Sequence, residues 1–140
     1  MTTVKESVSL NASAADIWSV IGDFNRLDTW HPAIATCEAA GSGDSSIRYL
    51  TLVDGSKIVE RLDENDDEAR SYTYTILDAG PLPVRNYQST LEVSGDTSVS
   101  IVTWSSEFEP HETPEADAQA AISGVYKGGF TALIDKFGAA

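Results

Sequence analysis

Two titratable residues, His31 and Glu60, carry side chains that could do chemistry in this sequence. In the segment 57–62, every second residue faces the same side of a predicted strand, which turns the Glu60 carboxylate toward the interior with its apolar neighbours. An ionised carboxylate in apolar surroundings is costly, so Glu60 must be paired, hydrated or protonated. A histidine that titrates near neutral pH beside a carboxylate could bind an acidic ligand, orient a hydroxyl or transfer a proton.

A second interpretation gives these two residues no chemistry. His31 would then be exposed to solvent at the rim of the fold, and Glu60 would form an ion pair with Arg48, Arg61 or Arg85. The residues themselves leave both interpretations open.

Aromatic residues are the other candidates for a binding site. Their rings could stack on a flat polycyclic ligand, although aromatic residues at such spacing more often form a plain core. We expect that core role for Trp18 and Phe24. The remaining candidates are Trp30, Tyr72, Tyr74, Tyr87, Trp104 and Tyr126.

The longest helical pattern covers residues 113–137 near the C-terminus. Thr113 is placed to cap this helix, and Pro114 suits its first position, where no backbone donor is needed. Ile122, Tyr126 and Leu133 recur at helical spacing and define an apolar face that requires a sheet to pack on.

Three glycines, Gly124, Gly128 and Gly129, lie inside this helical pattern, and each costs roughly 1 kcal/mol relative to alanine. Gly129 falls in the middle of the apolar face. Either the helix approaches a strand closely at this point, or it roofs a cavity that Gly129 helps to keep open.

The rest of the chain reads as strands and short helices. A strand at 3–10 precedes two short helices at 14–21 and 24–30. Period-two alternation then predicts six strands, at 34–39, 47–53, 57–62, 69–77, 86–93 and 99–108. Short turns between them imply antiparallel neighbours. The pattern predicts one α+β domain over residues 1–140, with a curved seven-stranded antiparallel sheet around the long C-terminal helix.

Composition excludes several classes of function. The 140 residues carry a net charge of −13, which repels nucleic acid and anionic lipid surfaces. The sequence has no run of about 18 apolar residues and no leader pattern, so we expect no membrane span and a cytoplasmic location. The single cysteine, Cys37, cannot form an internal disulfide. No phosphate loop, serine elbow or histidine pair at ligand spacing is present, so we expect no cofactor and no metal.

The order of these motifs resembles that of the helix-grip superfamily. This superfamily includes START lipid-transfer domains, polyketide cyclases and dehydrases, birch-type pollen allergens and plant abscisic-acid receptors. Residues 60–63, 66–67 and 86–89 are similar to the corresponding region of the receptors. Residues 15–18, 22–24 and 30–32 resemble bacterial SRPBCC members of the polyketide cyclase/dehydrase type. The resemblance spans essentially the whole chain.

The resemblance implies a hydrophobic cavity between the sheet and the long helix, with the 54–57 and 79–85 loops at its mouth. His31, Trp104 and Gly129 stand where the receptors place a lysine, a glutamate and an asparagine, so this pocket should be less polar. The expected ligand-binding residues are His31, Glu60, Tyr74, Tyr87, Ser89, Trp104, Tyr126 and Gly129.

The same comparison argues against a hormone receptor, because 53–56 and 82–84 differ from the receptor gate and latch. We therefore expect a monomer or homodimer that binds or carries a small hydrophobic or amphipathic molecule. The alternative is an enzyme of the polyketide cyclase/dehydrase type, in which His31 or Glu60 transfers a proton. A third possibility is a module that signals ligand occupancy to a protein partner through the 80–85 loop.

Overall fold

Alternating apolar and polar residues, separated by short turns, form the strands that position the candidate site. The computed structural model describes residues 1–41 and 43–140, and within them it has seven strands, two α-helices and one 3₁₀ segment. The strands are β1 (Thr2–Leu10), β2 (Ile34–Ala40), β3 (Ile47–Leu52), β4 (Lys57–Asp66), β5 (Ser71–Asp78), β6 (Val84–Gly95) and β7 (Ser100–Pro110). The helices are α1 (Ala14–Ile21) and α2 (Glu115–Phe137), and the 3₁₀ segment is Phe24–Thr29.

The strands form a sheet in the order β1-β7-β6-β5-β4-β3-β2, and each neighbouring pair is antiparallel. The chain therefore adds each new strand to its predecessor from β2 to β7, and β1 closes the far edge beside β7. Helix α2 packs on the sheet and buries Ile122, Tyr126 and Leu133, as the helical spacing predicts. The predicted α+β helix-grip fold, with two short helical segments after the first strand, is confirmed.

Strand β6 begins two residues earlier than predicted because it contains a β-bulge. Asn86 has a φ of 53°, and its side-chain Nδ2 donates a hydrogen bond to Glu109 Oε2 at 2.9 Å. The bulge turns both Val84 and Tyr87 into the core, although they are three residues apart. Simple alternation cannot place two such residues on one face.

Helix α2 begins later than the cap prediction placed it. Pro114 is the N-cap in an extended conformation, and no side chain caps this helix, so the predicted Thr113 cap is wrong. The backbone N–H groups of Asp117 and Ala118 donate to the Pro114 carbonyl instead. Thr2 Oγ1 donates to Glu115 Oε2 at 2.6 Å and so ties the first turn of α2 to β1.

Candidate functional site

An arginine–glutamate pair is buried between the sheet and the 3₁₀ segment. Arg48 on β3 lies directly opposite Glu60 on β4, in a hairpin whose turn contains Asp54 and Gly55. Arg48 Nε donates to Glu60 Oε1 at 2.7 Å, and Arg48 Nη2 lies 2.6 Å from the same oxygen. The third nitrogen, Nη1, donates to the carbonyl oxygen of Phe24 at 2.7 Å. Nη2 makes no hydrogen bond and contributes only its charge to the pair.

Aromatic rings surround the guanidinium of Arg48. Its central carbon lies 4.0 Å from the ring centroid of Phe24, 4.9 Å from that of Tyr74 and 5.9 Å from that of Tyr72. Burial acts to lower the pKa of Arg48, but the neighbouring Glu60 carboxylate opposes it and the pKa of Arg48 lies above its ordinary value. Burial raises the pKa of Glu60, and the neighbouring guanidinium opposes that rise. Because an unpaired buried guanidinium would be strongly destabilising, we treat the pair as charged in both members.

His31 is buried, with 3% of its surface exposed. Its Nδ1 accepts a hydrogen bond from the backbone N–H of Ala33 at 3.1 Å, so Nε2 carries the proton and donates to the Val125 carbonyl at 2.8 Å. Burial lowers the pKa of His31. The ring is therefore neutral with both nitrogens occupied, and the interpretation of His31 as a solvent-exposed residue is wrong.

A chain of hydroxyl groups runs through the core behind the ion pair. Trp104 Nε1 donates to Tyr74 Oη at 3.1 Å, and at the other end Ser89 Oγ donates to the Ser105 carbonyl at 2.8 Å. Between these ends, Tyr74 Oη lies 3.4 Å from Tyr87 Oη, Tyr87 bonds Tyr126, and Tyr126 Oη lies 3.0 Å from Ser89 Oγ.

The two ends of this chain set its direction. An indole N–H can only donate and a carbonyl oxygen can only accept, so each hydroxyl donates onward from Tyr74 toward Ser89. Burial raises the pKa of Tyr74 and Tyr87, and that of Tyr126 to about 12, so all three phenols stay protonated at neutral pH. The chain therefore satisfies these buried hydroxyls without a charge.

A cavity of about 60 Å³ lies beside the ion pair, between the sheet and α2. Its inner wall is formed by buried residues: Leu27, His31, Arg48, Leu50, Ile58, Glu60, Tyr74 and Trp104. Its outer wall is formed by half-buried residues: Ala33, Ile34, Leu52, Leu82 and Val125. The charged pair thus lies among the buried lining residues, and the half-buried lining residues are all apolar.

Four of the eight predicted binding residues, His31, Glu60, Tyr74 and Trp104, line this cavity. Tyr87, Ser89 and Tyr126 lie in the hydroxyl chain behind it. Gly129 packs under aromatic rings, as described next. Their roles in ligand binding remain predictions.

Aromatic rings fill the space beside Gly129, so no room for a ligand is left there. A Cβ atom at this position would lie 2.9 Å from Trp30 Cζ3, 3.0 Å from His31 Cδ2 and 3.3 Å from Trp104 Cζ3. The missing side chain therefore lets three aromatic rings approach the helix backbone. Neither the predicted close approach to a strand nor a cavity at Gly129 describes this packing.

Arg48 is the central residue that sequence reasoning underrated, because the sequence offers three arginines as partners for Glu60. The turn at Asp54 and Gly55 identifies the correct partner, because it fixes how β3 and β4 pair. Pairing Leu52 with Ser56 across that turn sets Arg48 opposite Glu60 by counting along both strands.

Within the described ranges 1–41 and 43–140, no three His, Cys, Asp or Glu side chains are grouped to hold a metal ion. No helix in the described part of the chain is long and apolar enough to cross a membrane.

The fold and site place the chain in a known class. A family model described as "Polyketide cyclase / dehydrase and lipid transport" matches residues 1–138. The chain therefore belongs to this family. The search of curated proteins found no significant match.

Solved structures have the same fold. The protein XoxI from Bacillus cereus is 35% identical, with a TM-score of 0.91 over 98% of this chain and 96% of that one. A protein from Thermobifida fusca is 32% identical, with a TM-score of 0.87 over 99% of this chain and 94% of that one. The ZhuI aromatase/cyclase from Streptomyces is 18% identical, with a TM-score of 0.72 over 93% of this chain and 87% of that one, a likeness that shows the fold alone.

Proposed function

We propose that the protein binds a small amphipathic molecule in the cavity between the sheet and α2. The observation that carries this proposal is a charged pair, Arg48 and Glu60, lining an otherwise apolar cavity whose outer wall is only half-buried. Buried charge is costly in a plain core, and a few convergent polar groups in an apolar cavity are typical of small-molecule sites. The family description, which includes lipid transport, agrees with a binding role.

The cavity must expand to accept such a molecule. At about 60 Å³ it is far smaller than ligand pockets, which occupy roughly 300–1,000 Å³. Of the half-buried wall residues, Ala33 and Leu82 lie outside the strands and helices, and Leu82, in the link between β5 and β6, has the larger side chain to displace. Its backbone N–H bonds the Ala79 carbonyl at 3.0 Å, within the same link, and the link is held to the chain after β7 by the bond from the His111 N–H to the Pro83 carbonyl at 2.9 Å.

The enzyme alternative has weaker support from the site. Proton transfer by His31 would require the ring to break its bonds to Ala33 and Val125, since both nitrogens are occupied. Glu60 keeps one oxygen free of Arg48 and is the remaining candidate for a general base. The geometry therefore favours binding over catalysis.

Native mass spectrometry of the purified protein, before and after organic extraction, tests the proposal first. A discrete added mass that extraction removes would support enclosure of a small molecule. The extracted protein is then titrated with the neutral fluorescent probe N-phenyl-1-naphthylamine. We expect saturable binding. If no molecule co-purifies and the extracted protein also fails to bind the probe, the proposal is overturned.

A matched pair of variants assigns the binding to the cavity. Leu50→Phe adds ring volume to the inner wall, whereas Leu77→Phe makes the same change at an exposed position on β5. We expect Leu50→Phe to weaken probe binding at least about tenfold, and Leu77→Phe to leave it unchanged. Equal binding by both variants would place the probe elsewhere.

A further inference from the structure

We infer that the cavity selects ligands whose polar end donates a hydrogen bond, such as an alcohol or a phenol, and rejects carboxylates. This inference rests on the proposed binding function and adds the chemical class of the ligand.

The free polar capacity of the cavity lies on Glu60. Both Arg48 nitrogens that meet the carboxylate approach the same oxygen, Oε1. None of the side-chain hydrogen bonds in the described residues reaches Oε2. The side chain of Glu60 keeps 7% of its surface accessible and that of Arg48 keeps 0%, so the accessible part of the pair is the carboxylate.

The donors that line the cavity are either bonded or inaccessible, since Arg48 Nη2 makes no hydrogen bond but the Arg48 side chain has no accessible surface. Arg48 bonds Glu60 and the Phe24 carbonyl, and His31 donates to the Val125 carbonyl. Trp104 donates to Tyr74, whose hydroxyl donates onward along the chain of phenols. A ligand carboxylate would thus meet the accessible Glu60 carboxylate and no accessible cation.

Charge and solvation favour the same ligand class. A hydroxyl that donates to Glu60 Oε2 would replace part of the hydration that the buried carboxylate has lost. A carboxylate ligand would be repelled by Glu60 at close range, and the net charge of −13 adds to this repulsion at long range. The predicted role of His31 in binding a ligand acid is therefore replaced by an acceptor role for Glu60.

The test compares three ligands of nearly equal size: 2-naphthol, 2-methoxynaphthalene and 2-naphthoate. Their affinities for the wild-type protein are measured by displacement of N-phenyl-1-naphthylamine. We expect 2-naphthol to bind at least about tenfold more tightly than the methyl ether, which cannot donate, and 2-naphthoate to bind most weakly. Tightest binding of 2-naphthoate, or equal binding of naphthol and ether, would overturn the inference. Failure of the probe and all three ligands to bind would overturn the proposed function itself.

A double variant locates the discrimination at the pair. Arg48→Met combined with Glu60→Leu replaces both charges with apolar side chains of similar size, a change that buried ion pairs often tolerate. We expect this variant to bind naphthol and methyl ether equally. Urea denaturation confirms that it is folded. If it is not, Glu60→Gln is used instead: this change removes the negative charge but keeps an acceptor oxygen, so 2-naphthoate should bind more tightly to this variant than to the wild type, and unchanged rejection of 2-naphthoate would count against Glu60. Retained preference for naphthol in a folded variant would show that Glu60 is not the acceptor.

Discussion

Gly129→Ala should separate tight aromatic packing from ordinary helix propensity. The new methyl group would enter the contact between α2 and the rings of Trp30, His31 and Trp104, with separations of 2.9, 3.0 and 3.3 Å. The rings have little freedom to retreat. Trp30 and Trp104 pack on each other with centroids 5.7 Å apart, and His31 is held by hydrogen bonds at both nitrogens.

The magnitude follows from two opposed effects. Alanine gains about 1 kcal/mol over glycine in a helix interior, and overpacking a core costs about 1–3 kcal/mol. The net change for Gly129→Ala is therefore between about zero and 2 kcal/mol of destabilisation. At Gly124 no atom lies within 4 Å of the added methyl, and at Gly128 the nearest is His31 Cε1 at 3.8 Å. The alanine variants at these two positions should therefore be stabilised by close to the full amount, about 1 kcal/mol, that alanine gains over glycine in a helix.

Urea denaturation of the three variants measures these differences in the free energy of unfolding. They appear as shifts of the transition midpoint, provided that the slope of the free energy against urea concentration is unchanged. Gly124→Ala and Gly128→Ala should be more stable than the wild type, and Gly129→Ala should lie about 1–3 kcal/mol below Gly124→Ala. Equal stabilisation by all three substitutions would refute the packing described at Gly129.

Three further predictions concern the polar residues. Burial lowers the pKa of His31, so the unfolded chain binds more protons at this residue than the folded protein does as the pH falls below 6.5. The free energy of unfolding should therefore decrease as the pH falls below 6.5. Over the same pH range, the urea midpoint of His31→Gln should decrease less than that of the wild type. Arg48→Ala should destabilise the protein by about 3–5 kcal/mol by stranding the Glu60 carboxylate, and a loss below about 1 kcal/mol in thermal denaturation would contradict a buried pair. Asn86→Val should cost about 1–3 kcal/mol because φ is 53° there, whereas Asn86→Gly should cost less in the same assay.

The sheet and its inward faces can be predicted from the sequence because they depend on local pattern. Period-two alternation is enough to place Tyr74, Ser89 and Trp104 in the core, where the structure buries them. Turn residues such as Asp54 and Gly55 separate the strands. The start of β6 is missed because the bulge at Asn86 interrupts this alternation.

The environment of each candidate residue is harder to predict because it depends on distant contacts. The partner of His31 is a backbone carbonyl 94 residues away, at Val125, and nothing near His31 in the sequence identifies it. The space at Gly129 is filled by the rings of Trp30, His31 and Trp104, and two of these residues, His31 and Trp104, also line the cavity. Such filling follows from three-dimensional packing and not from residue type.

Backbone amide NMR during titration with 2-naphthol tests whether a small molecule binds between the sheet and α2, since it reports where the molecule binds. We expect saturable shifts at the cavity wall, at Ala33, Ile34, Leu82 and Val125. Amides on the outward face of the sheet, such as that of Glu92, should not move. Saturable shifts confined to the outer surface, or no saturable shifts at all, would contradict a ligand site between the sheet and α2.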